Sequence, residues 1–223
     1  MSLIDATIND GDINLFYDVL WSGANPNEID EFGMSPLLHC LYTDGTTYEM
    51  LNMLFKAGAD PNLKHGEDGD SIMMYILDHP NSKLFKCVLD NKRTNIYQLN
   101  NNNENVMYQA VRMCDAYNII ENKESKKIVK LLIDYGFDIN HINDKLNLKT
   151  VLLDAVINCS LSTICYLIKL GADLNINTLD DRTIYDISKE SYDSDVRYFF
   201  IKYKAICLFI KYNKLPIDIL KKI

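Results

Sequence analysis

A short closing motif returns along this chain at a fixed period: glycine, a small or aromatic residue, aspartate or asparagine, one variable position, asparagine. It stands as GANPN at Gly23, GADPN at Gly58, GFDIN at Gly136 and GADLN at Gly171. Asn27 and Asn62 are 35 residues apart, and so are Asn140 and Asn175. The 78 residues from Asn62 to Asn140 fit two further units with about a dozen residues inserted, the hidden closing turn falling near Asn95. A period of this length marks one supersecondary unit copied and stacked, because each copy needs its neighbours to bury its apolar face. The 223 residues show no internal domain boundary.

Asp30 to Asn62 shows how one unit is specified. Ser35 is suited to cap a helix, and Pro36 fits the first turn, where no N–H needs a partner. Leu51, Leu54 and Phe55 fall on one stripe of a second helix that a lone pair cannot cover. Gly58 can take the left-handed conformation that ends this helix, and Pro61 prevents its resumption.

The run Gly33-Met34-Ser35-Pro36-Leu37-Leu38, followed by Gly58-Ala59-Asp60-Pro61-Asn62, resembles the ankyrin repeat, and the chain resembles the ankyrin host-range proteins of poxviruses and other large DNA viruses. The resemblance implies an all-α ankyrin-repeat solenoid of about six helix-turn-helix units with an extra C-terminal helix: an array over 1–204 and a helical cap over 205–223. Unit 1 lacks the Ser-Pro-Leu-Leu opening, as a capping unit does, with Leu3, Ile4, Leu15, Val19 and Leu20 as its expected core and Trp21 packed at its edge. The third unit keeps Gly69 and a capping Ser71, and its closing turn, Asn91 to Asn95, lacks glycine. The fourth opens at the hairpin tip Asn100 to Asn105. An insertion over 113–124 is expected as a loop, either decoration or a binding element. The last stretch, Leu215 to Ile223 (LPIDILKKI), resembles the opening turn of an F-box, the module that docks on a ubiquitin-ligase adaptor; a simple end-cap is the other reading.

The chemistry that composition excludes is broad. Six cysteines at 40, 87, 114, 159, 165 and 207 form no CxxC and sit mostly among apolar neighbours, as buried free thiols do. His39, His65, His79 and His141 lie in different units without metal-ligand spacing. No phosphate loop, GxSxG or HExxH is present, so neither an enzyme nor a cofactor is expected. A net charge of -8 argues against nucleic acid, no apolar run spans a membrane, and Met1 to Asp10 has no secretory pattern, so a cytoplasmic protein is expected.

In ankyrin proteins the variable binding positions flank the hairpin turn and follow the first helix. Carried over, the resemblance picks Glu31, Phe32, Met34, Tyr42 and Thr43, then Glu67, Asp68, Asp70, Asp78 and His79. It continues with Asn101, Asn102, Glu104, Arg112 and Met113, with Leu146, Asn147, Lys149, Ile157 and Asn158, and with Leu179, Asp180, Arg182, Glu190 and Ser191. Eight of these 25 are acidic and three basic, against 31 acids in 223 residues, so the face is enriched about twofold in negative charge. Turn preferences of aspartate account for part of that excess. The expected partner is a protein with a basic patch. Three classes of function stand open: a stoichiometric blocker, viral or of the bacterial immunity kind; an adaptor acting through the tail; and an enzyme, disfavoured by the missing motifs.

Overall fold

The structure is a computed structural model that describes residues 2, 4–5, 12–42, 48–115, 119–148 and 150–213; of 119–121 and 206–213 only the backbone is described. Leu3, Thr43, Lys149 and the tail Leu215 to Ile223 lie outside the described residues. The chain divides into two compact units, 1–137 and 138–223.

In the first unit, α1 (Ile13–Trp21) precedes three helix pairs: α2 (Pro36–Tyr42) with α3 (Tyr48–Ala57), α4 (Ile72–Tyr75) with α5 (Ser82–Asp90), and α6 (Val106–Arg112) with α7 (Ile119–Asp134). The short first helices pack in one row, α2 on α4 on α6, and the longer second helices in another, α1 on α3 on α5 on α7. The second unit repeats this with α8 (Val151–Asn158) and α9 (Leu161–Lys169), then α10 (Ile184–Ile187) and α11 (Ser194–Asn213). Here α8 packs on α10 and α9 on α11. The apolar residues of each row fill the space between rows: Leu37, Met50, Leu51, Leu54, Phe85, Val88, Met107 and Ile128 are all buried.

The recurring motif has a physical reason. In each closing turn the third motif residue accepts the N–H two residues on: Asn25 from Asn27 (3.0 Å), Asp60 from Asn62 (2.9 Å), Asp138 from Asn140 (2.9 Å) and Asp173 from Asn175 (2.9 Å). The final asparagine then reaches the next turn. Asn27 donates to the Gly58 carbonyl (3.2 Å) and accepts the Asp60 N–H (2.7 Å); Asn140 does the same with Gly171 (3.2 Å) and Asp173 (2.7 Å). The motif therefore closes one repeat and bonds it to the next.

The hidden turn is where the sequence placed it, and it obeys the same rule with different residues. Asn62 donates to the Arg93 carbonyl (2.8 Å) and accepts the Asn95 N–H (2.7 Å), while Asn95 accepts the Tyr97 N–H (3.0 Å). Tyr97 holds the final asparagine's place: its hydroxyl donates to the Gly136 carbonyl (3.3 Å) and its ring stacks on Phe137 at 4.7 Å. The exceptional tyrosine and the phenylalanine of GFDIN are thus one adaptation. Arg93 stands where glycine is missing, and its guanidinium donates to the carbonyls of Phe55, Gly58 and Ala59 at the end of α3.

Several expectations are corrected. The stretch 113–124 is helical where it is described, a 3₁₀ turn Met113–Asp115 running toward an α7 of 16 residues against 9 in α5. Glu124 on this added length accepts the Ser82 N–H (3.0 Å) at the start of α5, and Lys127 beside it holds its carboxyl down to about 2. Ser71 makes no capping bond, and its hydroxyl is buried without a partner among the described residues. In the first unit Phe16 and Leu20 are buried while Leu15 and Val19 are half-buried. Trp21 is exposed, meeting only the tilted ring of Tyr17 among described aromatics. Cys40, Cys87, Cys114 and Cys159 are buried free thiols, but Cys165 is exposed. On the C-terminal side α11 runs as one helix from Ser194 to Asn213.

Candidate functional site

The described repeats after the first open on a hairpin tip, and in the first unit the residues that begin these tips are Asp30, His65 and Asn100, each 35 after the last. Asp30 accepts the N–H groups of Phe32 (2.9 Å) and Met34 (2.8 Å) and pairs with His39 at 2.7 Å. Gly33 takes the left-handed φ of 75° that lets the chain return. A turn bonded this way leaves Phe32 at its apex, 75% exposed, with Glu31 exposed beside it and Met34 half-buried.

The next tip is braced from both sides. His65 and Asp70 exchange backbone hydrogen bonds of 2.9 and 3.1 Å. The buried His65 ring contacts the Gly33 carbonyl (3.2 Å) and the Ser35 hydroxyl (3.4 Å), tying this tip to the preceding repeat. On the other side Asn101 bonds the carbonyls of Asp68 (2.7 Å, from its N–H) and Glu67 (2.8 Å, from its carboxamide), and Asn102 donates to the Asp68 carboxylate (3.1 Å). Asp70 accepts from Asn100 (2.7 Å) and lies within 3.5 Å of the Gln109 amide. The asparagine-rich run is therefore a strap over the acidic tip. Glu67 and Asp68 stay exposed, whereas Asp70 is half-buried and engaged within the fold.

Behind the tips, exposed Tyr42 ends α2 and donates to the carboxylate of exposed Asp78 (3.3 Å). Partial burial, with the Asp78 carboxylate adding to it, pushes the Tyr42 hydroxyl up to about 12. Its ring meets Tyr75 edge-on at 6.5 Å, and Tyr75 meets His65 at 6.1 Å. These rings connect helix end to hairpin. Exposed His79 follows Asp78.

The remaining candidates are more neutral than their sequence implied. Glu104 pairs with Arg112 at 2.8 Å; in the second unit Arg182 pairs with Asp180 at 2.9 Å and also with Glu190. Asn102 serves the strap, Leu146 is half-buried, Asn147 is exposed and Ser191 is buried. Of the candidates in the first unit, Glu31, Phe32, Tyr42, Glu67, Asp68, Asp78, His79, Asn101 and Asn102 are exposed, with Tyr42 bonded to Asp78 and Asn102 to Asp68. Sequence reasoning missed His65, Tyr75 and Asn100. The shared 35-residue spacing of Asp30, His65 and Asn100 would have exposed two of them.

Among the described residues no three His, Cys, Asp or Glu gather as metal ligands, and no helix is long and apolar enough to cross a membrane.

No family model matches the chain. Solved structures do resemble it. The ankyrin repeat domain of Bcl-3, a member of the IkappaB protein family, is 20% identical over 84% of this chain and 79% of its own, with a TM-score of 0.68. An ankyrin repeat domain from Acinetobacter baumannii AYE is 23% identical over 89% of this chain and 95% of its own, with a TM-score of 0.67. A chain from the complex of the predatory endopeptidase Bd0816 of Bdellovibrio bacteriovorus with immunity protein Bd3460 is 18% identical over 90% of this chain and 97% of its own, with a TM-score of 0.63. The fold is that of ankyrin-repeat proteins, all-α and built of stacked helix pairs.

Proposed function

We propose that this chain is a non-enzymatic, cytoplasmic binding module that engages and blocks a protein with a basic patch, using the hairpin tips of its first unit. Phe32 and Tyr42 anchor the partner, and Glu31, Glu67, Asp68 and Asp78 steer it. The observation that carries the reading is Phe32, a phenyl ring 75% exposed on a turn held by Asp30 with the exposed Glu31 beside it, whereas the carboxylates of Glu104 and Asp180 are offset by Arg112 and Arg182. A rigid aromatic anchor inside a rim of one charge sign is the mix that gives interfaces both affinity and rapid association. Blocking, rather than delivery, is supported by one likeness, the solved complex that contains an immunity protein. Delivery to a ubiquitin ligase would act through Leu215 to Ile223.

The test uses a partner captured from cell lysate by the wild-type protein. Phe32→Ala should weaken binding at least about tenfold, as loss of an aromatic hot spot does. Reversing Glu31, Glu67 and Asp78 to lysine should lower the association rate about tenfold or more and flatten its salt dependence. Asp70 is left alone because reversal there would break the strap from Asn100. Reversing the exposed Asp18, Glu49 and Asp134 on α1, α3 and α7 is the control. Equal losses in the two triples would place the binding face elsewhere.

A further inference from the structure

The acidity of this chain has a local exception in the second unit. A cleft of about 160 Å³ lies between α10 with its following turn and the middle of α11, lined by Tyr185, Phe200, Ile201 and the cations Lys189, Arg197 and Lys204. Its floor is aromatic: buried Phe200 meets Tyr185 edge-on at 6.2 Å. Its rim is cationic and held in place. The Arg197 guanidinium donates to the Ser191 carbonyl, Lys204 lies over the Tyr185 ring at 5.2 Å, and Lys189 pairs with Asp186 at 2.9 Å. Three cations and one carboxylate therefore surround an apolar hollow close in size to the ~150 Å³ cavity that accepts one benzene ring.

Such a hollow fits an aromatic ring with a carboxylate beside it: the ring gains apolar burial and edge-to-face contact, and the carboxylate meets the cationic rim. The first unit of this chain displays that pair. Phe32 is 75% exposed, Glu31 precedes it, and Asp30 holds the turn so that little freedom is lost on docking. We propose that the Glu31–Phe32 tip of a second copy of this chain docks in the α10–α11 cleft, its ring on Tyr185 and Phe200 and its carboxylate toward Arg197 and Lys204. One tip in one cleft buries far less than the ~1,200 Å² of a stable interface, so the association is weak. A second copy on Phe32 excludes any other protein anchored there, which makes the association a form of self-masking.

Sedimentation equilibrium of the full chain, from about 10 μM to about 1 mM, reads this out. The average mass should rise with concentration at low salt and rise less at about 500 mM salt, where charge pairs are screened. Phe32→Ala should weaken self-association about tenfold or more. Glu31→Lys and Lys204→Glu, both at exposed positions, should each weaken it several-fold, and the two together should restore it. A wild-type protein monomeric throughout the range overturns the proposal. So does self-association that survives Phe32→Ala, or a double reversal as weak as the two single ones, since either result removes the tip or the cleft from the contact. Failure here leaves the binding of an outside partner through Phe32 untouched.

Discussion

Asn140 and Asn175 occupy the same place in the same motif of the second unit, and the structure predicts that replacing them costs very different amounts. Both donate their own N–H to the aspartate two residues before (2.9 Å each). Asn140 in addition donates to the Gly171 carbonyl (3.2 Å) and accepts the Asp173 N–H (2.7 Å), whereas the carboxamide of Asn175 returns to Asp173 (2.8 Å). Asn140→Ala therefore removes two bonds between successive repeats. At a net ~1 kcal/mol each, in a site that water can partly reach, the loss is about 2 kcal/mol. Asn175→Ala removes one local bond on the exposed surface and should cost about 0.5 kcal/mol. A urea midpoint would fall by about 1 M for the first at an m-value near 2 kcal/mol/M. A local readout is sharper: the Asp173 amide should exchange with solvent about 30-fold faster in Asn140→Ala, the factor equivalent to ~2 kcal/mol, and little faster in Asn175→Ala. Equal effects of the two substitutions would refute the account of the motif as an inter-repeat bond.

Three further outcomes follow from particular residues. A Cβ on Gly69 would lie 2.6 Å from the Asn101 carboxamide at a left-handed φ of 65°, whereas one on Gly136 meets nothing within 4 Å; alanine at 69 should therefore cost about 2–3 kcal/mol by melting midpoint and at 136 only the backbone strain of ~1 kcal/mol. Burial lowers the proton affinity of His65, and the Gly33 carbonyl only partly offsets this. The unfolded chain then binds the extra proton, so stability is full above the ordinary imidazole value near 6.5 and is lost as pH falls through it. His65→Gln should flatten the stability curve between about pH 7 and 5.5; an unchanged slope would clear His65. Finally, an aromatic disulfide reagent should modify exposed Cys165 well before Cys40 and Cys114, whose buried thiols are pushed up to about 12.

The fold was legible because its signals are local. Ser35 bonds the Leu38 N–H (3.2 Å) at the start of α2, and Gly58, Gly136 and Gly171 take left-handed φ values of 101°, 94° and 100° at helix ends, as single-residue chemistry requires. What escaped depends on pairs. Arg93 replaces a glycine only because carbonyls at the end of α3 lie within its reach, and Tyr97 replaces an asparagine only because Phe137 is there to stack on. The length of α7 escaped for another reason. Twelve polar and apolar residues without a glycine read equally well as a loop or as added helical turns, and the contact that decides it, Glu124 on Ser82, is 42 residues away in sequence.

The hairpin tips were legible in the sequence, and the charge they leave exposed was not. Counting acids treats Glu67, Asp70, Glu104 and Asp180 alike, yet the field a partner meets depends on what each carboxylate already holds. Glu104 and Asp180 are offset by Arg112 and Arg182, and Asp70 is bonded by Asn100. The same polar side chains that make a hairpin tip foldable are the ones that would make it bind, so composition overstates the surface by every residue the turn consumes. Asp30 shows the division plainly: its carboxylate is committed to Phe32, Met34 and His39, and that commitment is what presents Phe32 to solvent. In this fold the acid that builds the turn and the aromatic proposed to meet a partner are neighbours, so under that proposal a substitution at Asp30 would weaken binding without Asp30 touching anything outside the chain.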